Sequence, residues 1–170
     1  GGNNWVKYES FQGAPDMAYV SCIATSLFDE NVVFASFDNH KQGDFKSYIL
    51  RSSNKGKSWE NISGNLPERN IVYSVKQDHV NKDLLFAGTE FGVFFTVDGG
   101  KNWVQLKSGL PTIAIKDIDI QRRENDLVLA SFGRGFNVLD NYSPLRDLNK
   151  ETLDKKAHLF PVKNALLYFE

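Results

Sequence analysis

The chain has 170 residues, of which 41% are hydrophobic and 13% aromatic, and this is enough apolar material for one folded domain with a substantial core. The 20 basic and 21 acidic side chains give a formal net charge of -1, so no overall field favours nucleic acid or an anionic membrane surface. No apolar run reaches the roughly 18 residues of a membrane-spanning helix. The single cysteine, Cys22, excludes an internal disulfide and is predicted to be a buried small hydrophobe.

Comparison of the sequence with itself reveals an internal repeat. Residues 52–67 (SSNKGKSWENISGNLP) match residues 96–111 (TVDGGKNWVQLKSGLP), with a hydroxyl residue, Asn or Asp, Gly, Trp and Leu-Pro in register. The opening GGNNW matches GGKNW at residues 99–103, which predicts that Trp5 begins the last strand of an earlier copy. A period of roughly 20 to 50 residues is typical of repeat folds.

The strands of each repeat unit are predicted from apolar runs. Equivalent runs, VVFASF, LLFAGT and LVLASF, begin at residues 32, 84 and 127. Around them the pattern predicts a fourth strand at 4–9, two complete units ending near 60–63 and 103–107, and three further strands to about residue 140. This spacing of short strands is typical of a β-propeller, and a solenoid is the main alternative. We therefore predict an all-β chain, a β-propeller segment of about three four-stranded antiparallel blades.

The turn between the third and fourth strands has a recognisable pattern. Its spacing, Ser/Thr-x-Asp-x-Gly-x-x-Trp, resembles the Asp-box, or BNR repeat, of sialidase-type, xyloglucanase-type and sortilin-type β-propellers. One copy matches closely, a second has Asn in place of the acid, and a third, VLDNYSPL, has lost the glycine and the tryptophan. The matching residues are Thr96, Asp98, Gly100 and Trp103 in the close copy at 96–103 and Ser52, Asn54, Gly56, Ser58 and Trp59 in the copy at 52–59.

These residue types are predicted to build a turn rather than a catalytic site. A short acid such as Asp98 can accept backbone N–H bonds, while a glycine such as Gly100 can adopt a positive φ. We expect Trp5, Trp59 and Trp103 to be equivalent plugs that pack between stacked sheets. The resemblance likewise implies that the Asp-box residues are structural and lie away from any substrate site.

The end of the chain departs from the repeat. It predicts a turn, a short helix capped at Asn149 with Glu151 and Thr152 in its first turn, and an extended closing strand, HLFPVKNALLY, at 158–168. This ending resembles the close of the propeller in bacterial proteins with sortilin-like BNR repeats, where GRGFxxLDxxSPL leads into HLFxP. We therefore divide the chain into blades at 1–143 and a terminal segment at 144–170. Because a propeller needs roughly four or more blades, we expect the remaining blades as partners, from the same parent chain or another copy.

Binding residues are expected at the end of the sheets opposite the Asp-box turns, where propellers usually bind ligands. The candidates are His40, Glu90 and Arg134, on the predicted turns 38–44, 89–92 and 132–135. Arg134, flanked by glycines, could hold a carboxylate or a sugar hydroxyl network, or bridge blades as a structural arginine. Candidates for the paired carboxylates of a glycosidase are Asp38, Asp44 and Glu90. The three histidines lack metal-ligand spacing, so neither a metal site nor a cofactor is predicted.

The sequence is consistent with two main functions. The favoured one is a non-catalytic binding or scaffolding module of an extracytoplasmic BNR-repeat propeller, which takes a protein, peptide or glycan ligand. The alternative is part of a glycoside hydrolase-like propeller that resembles xyloglucanases and acts on polysaccharide, with catalytic acids partly outside this chain. A resemblance to plastid and cyanobacterial photosystem assembly propellers ranks last, because the near-neutral composition does not match their basic surface.

Overall fold

The computed structural model of the chain describes residues 5–107 and 109–162, and its strands form three antiparallel sheets. The first sheet contains β1 (Tyr19–Thr25), β2 (Val33–Asn39), β3 (Asp44–Ser52) and β4 (Glu60–Asn61). The second contains β5 (Val72–Gln77), β6 (Leu85–Thr89), β7 (Gly92–Thr96) and β8 (Val104–Leu106). The third contains β9 (Ile115–Gln121), β10 (Asp126–Ser131) and β11 (Phe136–Leu139).

The three sheets, called blades 1, 2 and 3 below, stack in chain order. Within each blade every strand pairs with the next strand along the chain. The first strand of blade 2, β5, also contacts the first strands of both neighbours, β1 and β9. Radially stacked meanders of this kind form a β-propeller segment, so the predicted fold class is confirmed. The two complete blades end at the predicted places, and blade 3 has three strands in the part of the chain that the structure describes.

Blade 2 is covered on both faces, which explains why its central strands are apolar throughout. Every residue of β6 and β7 is buried. Successive side chains of a strand point to opposite faces. Leu85 and Phe94 therefore join the core between blades 1 and 2, whereas Phe86 and Phe95 join the core between blades 2 and 3. Each such side chain stabilises the stack by roughly 1.5–3 kcal/mol through burial.

The start of the chain departs from the prediction. Residues 5–10 form no strand, and Trp5 is 88% exposed. Trp103 is only 4% exposed and Trp59 is half-buried, so the expectation of three equivalent indoles is wrong for Trp5. A fourth strand needs the third strand of its own blade as a partner, and the four residues before Trp5 in this sequence are too few to supply one. Cys22, predicted to be buried, is half-buried against the core between blades 1 and 2.

The terminal segment begins with a short 3-10 helix, Ser143–Asp147, whose Leu145 packs against the core between blades 2 and 3. The predicted helix is present as α1 (Lys150–Leu153). Its cap is Asn149, whose Oδ1 accepts a hydrogen bond from the N–H of Thr152 at 2.9 Å. Residues 158–162 form no strand, and the rest of the predicted closing strand lies outside the described residues. No described helix has the length and apolar character needed to cross a bilayer.

Candidate functional site

The two ends of the blades differ in chemistry. The box face carries the turns between third and fourth strands, at residues 52–59 and 96–103. The turn face carries the turns between second and third strands, between β2 and β3, β6 and β7, and β10 and β11. The predicted binding residues belong to the turn face, and the predicted Asp-box residues belong to the box face.

In the second box turn the Asp98 carboxylate accepts hydrogen bonds from residues of the turn itself. Asp98 Oδ1 accepts hydrogen bonds from the N–H groups of Lys101 and Asn102 at 3.0 and 2.9 Å and from the Thr96 hydroxyl at 2.7 Å. Thr96 Oγ1 in turn accepts the N–H of Gly100 at 3.1 Å. Burial raises the pKa of the Asp98 carboxyl, but the hydrogen bonds from Asn102, Thr96 and the backbone lower it below its ordinary value. This carboxylate is committed to the turn.

The first box turn repeats the same contacts with an amide. Asn54 Oδ1 accepts the N–H of Ser58 at 2.9 Å and the hydroxyl of Ser52 at 2.9 Å. Ser52 Oγ accepts the N–H of Gly56 at 2.8 Å, as Thr96 does for Gly100. An amide oxygen can therefore replace the carboxylate, because the turn needs an acceptor and not a charge.

Each box turn also fixes a tryptophan. The indole N–H of Trp59 donates to the carbonyl of Gly56 at 3.1 Å, and that of Trp103 donates to Gly100 at 3.2 Å. The Trp103 N–H also donates to the Ile62 carbonyl of blade 1 at 2.9 Å, so this indole joins two blades. We attribute its greater burial to this contact across the blades.

On the turn face, Asp38 and His40 form a close pair at the end of β2. His40 Nδ1 lies 2.7 and 2.8 Å from the two carboxylate oxygens of Asp38, and the N–H of His40 donates to Oδ1 at 3.0 Å. Because an ionised carboxylate only accepts, Nδ1 carries the proton, and Nε2 makes no hydrogen bond with residues 5–107 and 109–162. Asp38 is 9% exposed, and the pair lines a cavity of about 270 Å³ together with Met17 and Tyr19.

Asp44 holds the turn between β2 and β3. Its carboxylate accepts hydrogen bonds from the Tyr48 hydroxyl at 2.7 Å, the Asn39 amide at 3.3 Å and the N–H of Lys46 at 3.1 Å. Burial raises the pKa of this carboxyl, but the hydrogen bonds together bring it below its ordinary value. A glycosidase general acid needs the opposite shift, so this environment does not favour Asp44 as a proton donor. Burial and the Asp44 contact raise the pKa of Tyr48 to about 12.

Each blade carries a β-bulge at the same place on its first strand, next to the turn face. The pairing shifts by one residue in β1 with β2, in β5 with β6 and in β9 with β10. The residues left without a partner opposite are Ser21, Tyr73 and Lys116. Bulges redirect side chains and are frequent beside binding sites. Sequence patterns did not indicate these bulges, because an extra residue in a strand leaves no compositional signal.

Tyr73 and Lys116 meet across blades 2 and 3. The Lys116 ammonium lies 3.3 Å from the centroid of the Tyr73 ring and 5.7 Å from that of Phe132. The N–H of Glu90 donates to the Ile71 carbonyl at 3.0 Å, which holds the turn between β6 and β7 beside the start of β5. Burial raises the pKa of the Tyr73 phenol, and the negative charges of Glu90 and Asp38 raise it further. We call Tyr73, Glu90, Lys116 and Phe132 the Tyr73 cluster. The charge of Asp38 acts on the phenol of this cluster.

Two charged groups of the turn face have no side-chain partner in the described part of the chain. The carboxylate of Glu90 and the guanidinium of Arg134 form no hydrogen bond or ion pair with residues 5–107 and 109–162. Arg134 is exposed on the turn between β10 and β11. Within those same residues, no group of three or more His, Cys, Asp and Glu side chains is placed to hold a metal ion.

The box face carries a buried ion pair that sequence patterns also missed. Asp78, fully buried, receives two hydrogen bonds from Arg146 at 2.8 Å each, one from the Tyr142 hydroxyl and one from the N–H of Asn81. Burial raises the pKa of the Asp78 carboxyl, but these donors outweigh burial and lower it to about 2. The pair fastens the terminal 3-10 helix to blade 2. Asp78 and Arg146 are 68 residues apart, so no local signal points to their contact.

Comparisons with known proteins agree with the β-propeller class that the blades define. No protein-family model and no curated protein matches the chain. A GH74 enzyme of Niastella koreensis superposes with a TM-score of 0.58 at 17% identity, covering 78% of this chain and 22% of that one. The GH74 xyloglucanase from Xanthomonas campestris gives 0.55 at 13% identity, covering 72% and 22%. YCF48 bound to a D1 peptide gives 0.52 at 16% identity, covering 75% and 37%.

These similarities establish the fold alone. The chain spans 22% of the length of these two GH74 enzymes and 37% of the YCF48 chain. At identities of 13–17% the shared feature is the fold of the superposed part. What each of those proteins binds or cleaves is therefore a property of that protein.

Proposed function

We propose that this chain is a non-catalytic binding module within a β-propeller and that it takes its ligand at the turn face. One observation supports the choice of face. The box-turn acceptors Asn54 and Asp98 are used by their own turns, whereas His40 Nε2 and the carboxylate of Glu90 have no partner in the described chain. His40 also lines the cavity at the end of β2, where a polar group can orient a ligand.

The same proposal assigns the box turns as Asp-boxes with a structural role. It also takes the remaining blades, from the parent chain or another copy, as the partners that complete the ring. Exposed apolar residues on the last strand support this, since Phe136 is 76% and Val138 55% exposed. The location that follows from the resemblance is extracytoplasmic.

A second candidate function is glycan cleavage. Asp38 and Glu90 belong to adjacent blades, and the negative charges of both raise the pKa of the Tyr73 phenol. A retaining glycosidase places its two carboxyl groups about 5 Å apart and an inverting one places them further apart. The engagement of Asp38 with His40 favours a binding role over a nucleophilic one.

Peptide and glycan arrays probed with the labelled chain test the proposal. The turn-face variant carries His40→Ala, Glu90→Gln and Arg134→Ala, and the control carries Lys101→Ala on the box face. We expect a bound class of peptide or glycan that the turn-face variant loses and the control keeps. Equal binding by both variants would refute the turn-face assignment. Release of reducing sugar from xyloglucan, abolished by Asp38→Asn or Glu90→Gln, would establish the enzymatic alternative instead.

A further inference from the structure

The Lys116 ammonium occupies a position that differs from those of the ion-paired lysines. Lys55 and Lys76 contact the carboxylates of Glu30 and Asp119 at 2.9 and 2.8 Å. Lys116 instead lies over the ring of Tyr73 and has no ion pair with the described residues. A cation above an aromatic face is attracted by the ring quadrupole. The Tyr73 ring is therefore a site that accepts a cation, and in this structure the cation comes from the chain itself.

The surroundings of the ring favour positive charge. Phe132 contributes a second aromatic face at 5.7 Å from the ammonium. Glu90 is half-buried, and its carboxylate has no partner among the described residues. Asp38 adds a further negative charge that acts on Tyr73. The negative charges of Glu90 and Asp38 therefore act on the same ring that the Lys116 ammonium contacts.

The attachment of Lys116 is weak and reversible. Its side chain is exposed, and its backbone lies at a bulge without a partner in β10. A cation–π contact at an exposed site changes a binding constant only about two- to five-fold. The ammonium can therefore leave the ring without disturbing the strand pairing or the cores between blades.

We propose that the Tyr73 cluster recognises a cationic side chain, lysine or arginine, of a peptide ligand, and that Lys116 is the internal occupant that the ligand replaces. This assignment rests on the turn face being the binding face. Tyr73 and Phe132 supply the aromatic surfaces, and Glu90 supplies the charge that the incoming cation meets. Lys116 acts as a placeholder that keeps the ring covered when no ligand is bound.

A titration of the 170-residue chain, with its lysines and tyrosines isotopically labelled for NMR, tests this exchange. The probes are Nα-acetyl-lysine amide and Nα-acetyl-arginine amide, with the norleucine and glutamate analogues as neutral and acidic controls. Ring currents from Tyr73 shield the ε-methylene of Lys116 in the free chain. We expect the lysine and arginine probes to move that signal toward the position of an exposed lysine, and the norleucine probe to leave it unchanged.

Five variants sharpen the test, followed at the tyrosine ring signals where Tyr73 is kept and at the Lys116 ε-methylene signal where Tyr73 is replaced. Lys116→Ala removes the competitor and is expected to tighten the lysine probe about two- to five-fold. Glu90→Gln is expected to weaken it, while Lys101→Ala on the box face leaves it unchanged. Tyr73→Phe keeps the ring and is expected to keep binding, whereas Tyr73→Leu loses it. Thermal unfolding of each variant shows whether the fold is retained, and Lys116→Ala and Glu90→Gln alter side chains outside the cores.

Two results would overturn the inference. If the glutamate probe binds and Lys116→Ala abolishes its binding, Lys116 is itself the receptor for an anion. If Lys116→Ala leaves the affinity for the lysine probe unchanged, the ring is not the binding position. The broader proposal is tested separately by the arrays. If array ligands remain sensitive to His40→Ala and Arg134→Ala, the turn face stays the binding face even when this inference fails.

Discussion

The two box turns offer a matched pair of glycines for measuring how much the stacking of blades contributes to stability. Gly56 and Gly100 occupy equivalent positions with φ of +84° and +101°. A Cβ at Gly56 would meet only the Trp59 ring at 3.6 Å, an ordinary contact. A Cβ at Gly100 would lie 2.7 Å from the carbonyl oxygen and 2.8 Å from the Cβ of Ile62, in the neighbouring blade.

The expected magnitudes follow from these distances. Both alanine substitutions add a left-handed backbone penalty of roughly 1–2 kcal/mol. Gly100→Ala also forces blades 1 and 2 apart, which adds roughly 1–3 kcal/mol of overpacking and strains the hydrogen bond from Trp103 to Ile62. We therefore expect Gly100→Ala to destabilise the chain by about 2–5 kcal/mol and Gly56→Ala by about 1–2 kcal/mol.

Urea unfolding followed by tryptophan fluorescence measures both changes under one set of conditions. The midpoint reports stability when the slope is unchanged. Equal destabilisation by the two variants, or a larger effect for Gly56→Ala, would refute the claim that Gly100 is required for the close approach of the blades. A changed slope for Gly100→Ala alone would indicate that blade 1 separates before the rest unfolds.

Three further predictions concern the buried contacts. The pKa of the Asp78 carboxyl is lowered to about 2 in the fold. Above its unfolded pKa this group therefore contributes about 2 kcal/mol to the free energy of unfolding, and the contribution is lost as pH falls from about 4 to 2. Asp78→Asn should remove this pH dependence from urea unfolding curves. Arg146→Ala leaves a buried carboxylate unpaired and should lower the free energy of unfolding by about 3–5 kcal/mol at pH 7, with Arg146→Lys less damaging. Trp103→Phe removes a buried donor to two carbonyls and should cost about 1–3 kcal/mol more than Trp59→Phe, measured by thermal unfolding.

The sequence predicted those features that depend on local spacing. The box turns follow from residues within eight positions of one another, and the strands of blade 2 follow from apolar runs that must be covered on both faces. The strand expected at Trp5 is absent because pairing requires a neighbour that the local pattern does not reveal.

The candidate site was predicted only in part. His40, Glu90 and Arg134 were located by the turns on which they lie, but the contact of Tyr73 with Lys116 depends on two bulges and on the packing of two blades. The contact of Asp78 with Arg146 joins distant parts of the chain. Such contacts are set by the geometry of the stack, which no short window of sequence contains.

The repeated bulge places one side chain of each blade outside the cross-strand pairs. A bulged residue has no residue opposite it, so its side chain belongs to no cross-strand pair. The three blades carry a hydroxyl, a phenol and an ammonium at this position. The Ser21 hydroxyl is used inside the stack, where it donates to the Val72 carbonyl of blade 2 at 2.8 Å. The phenol and the ammonium lie outside the cores between the blades, so their chemistry can change while those cores remain as they are.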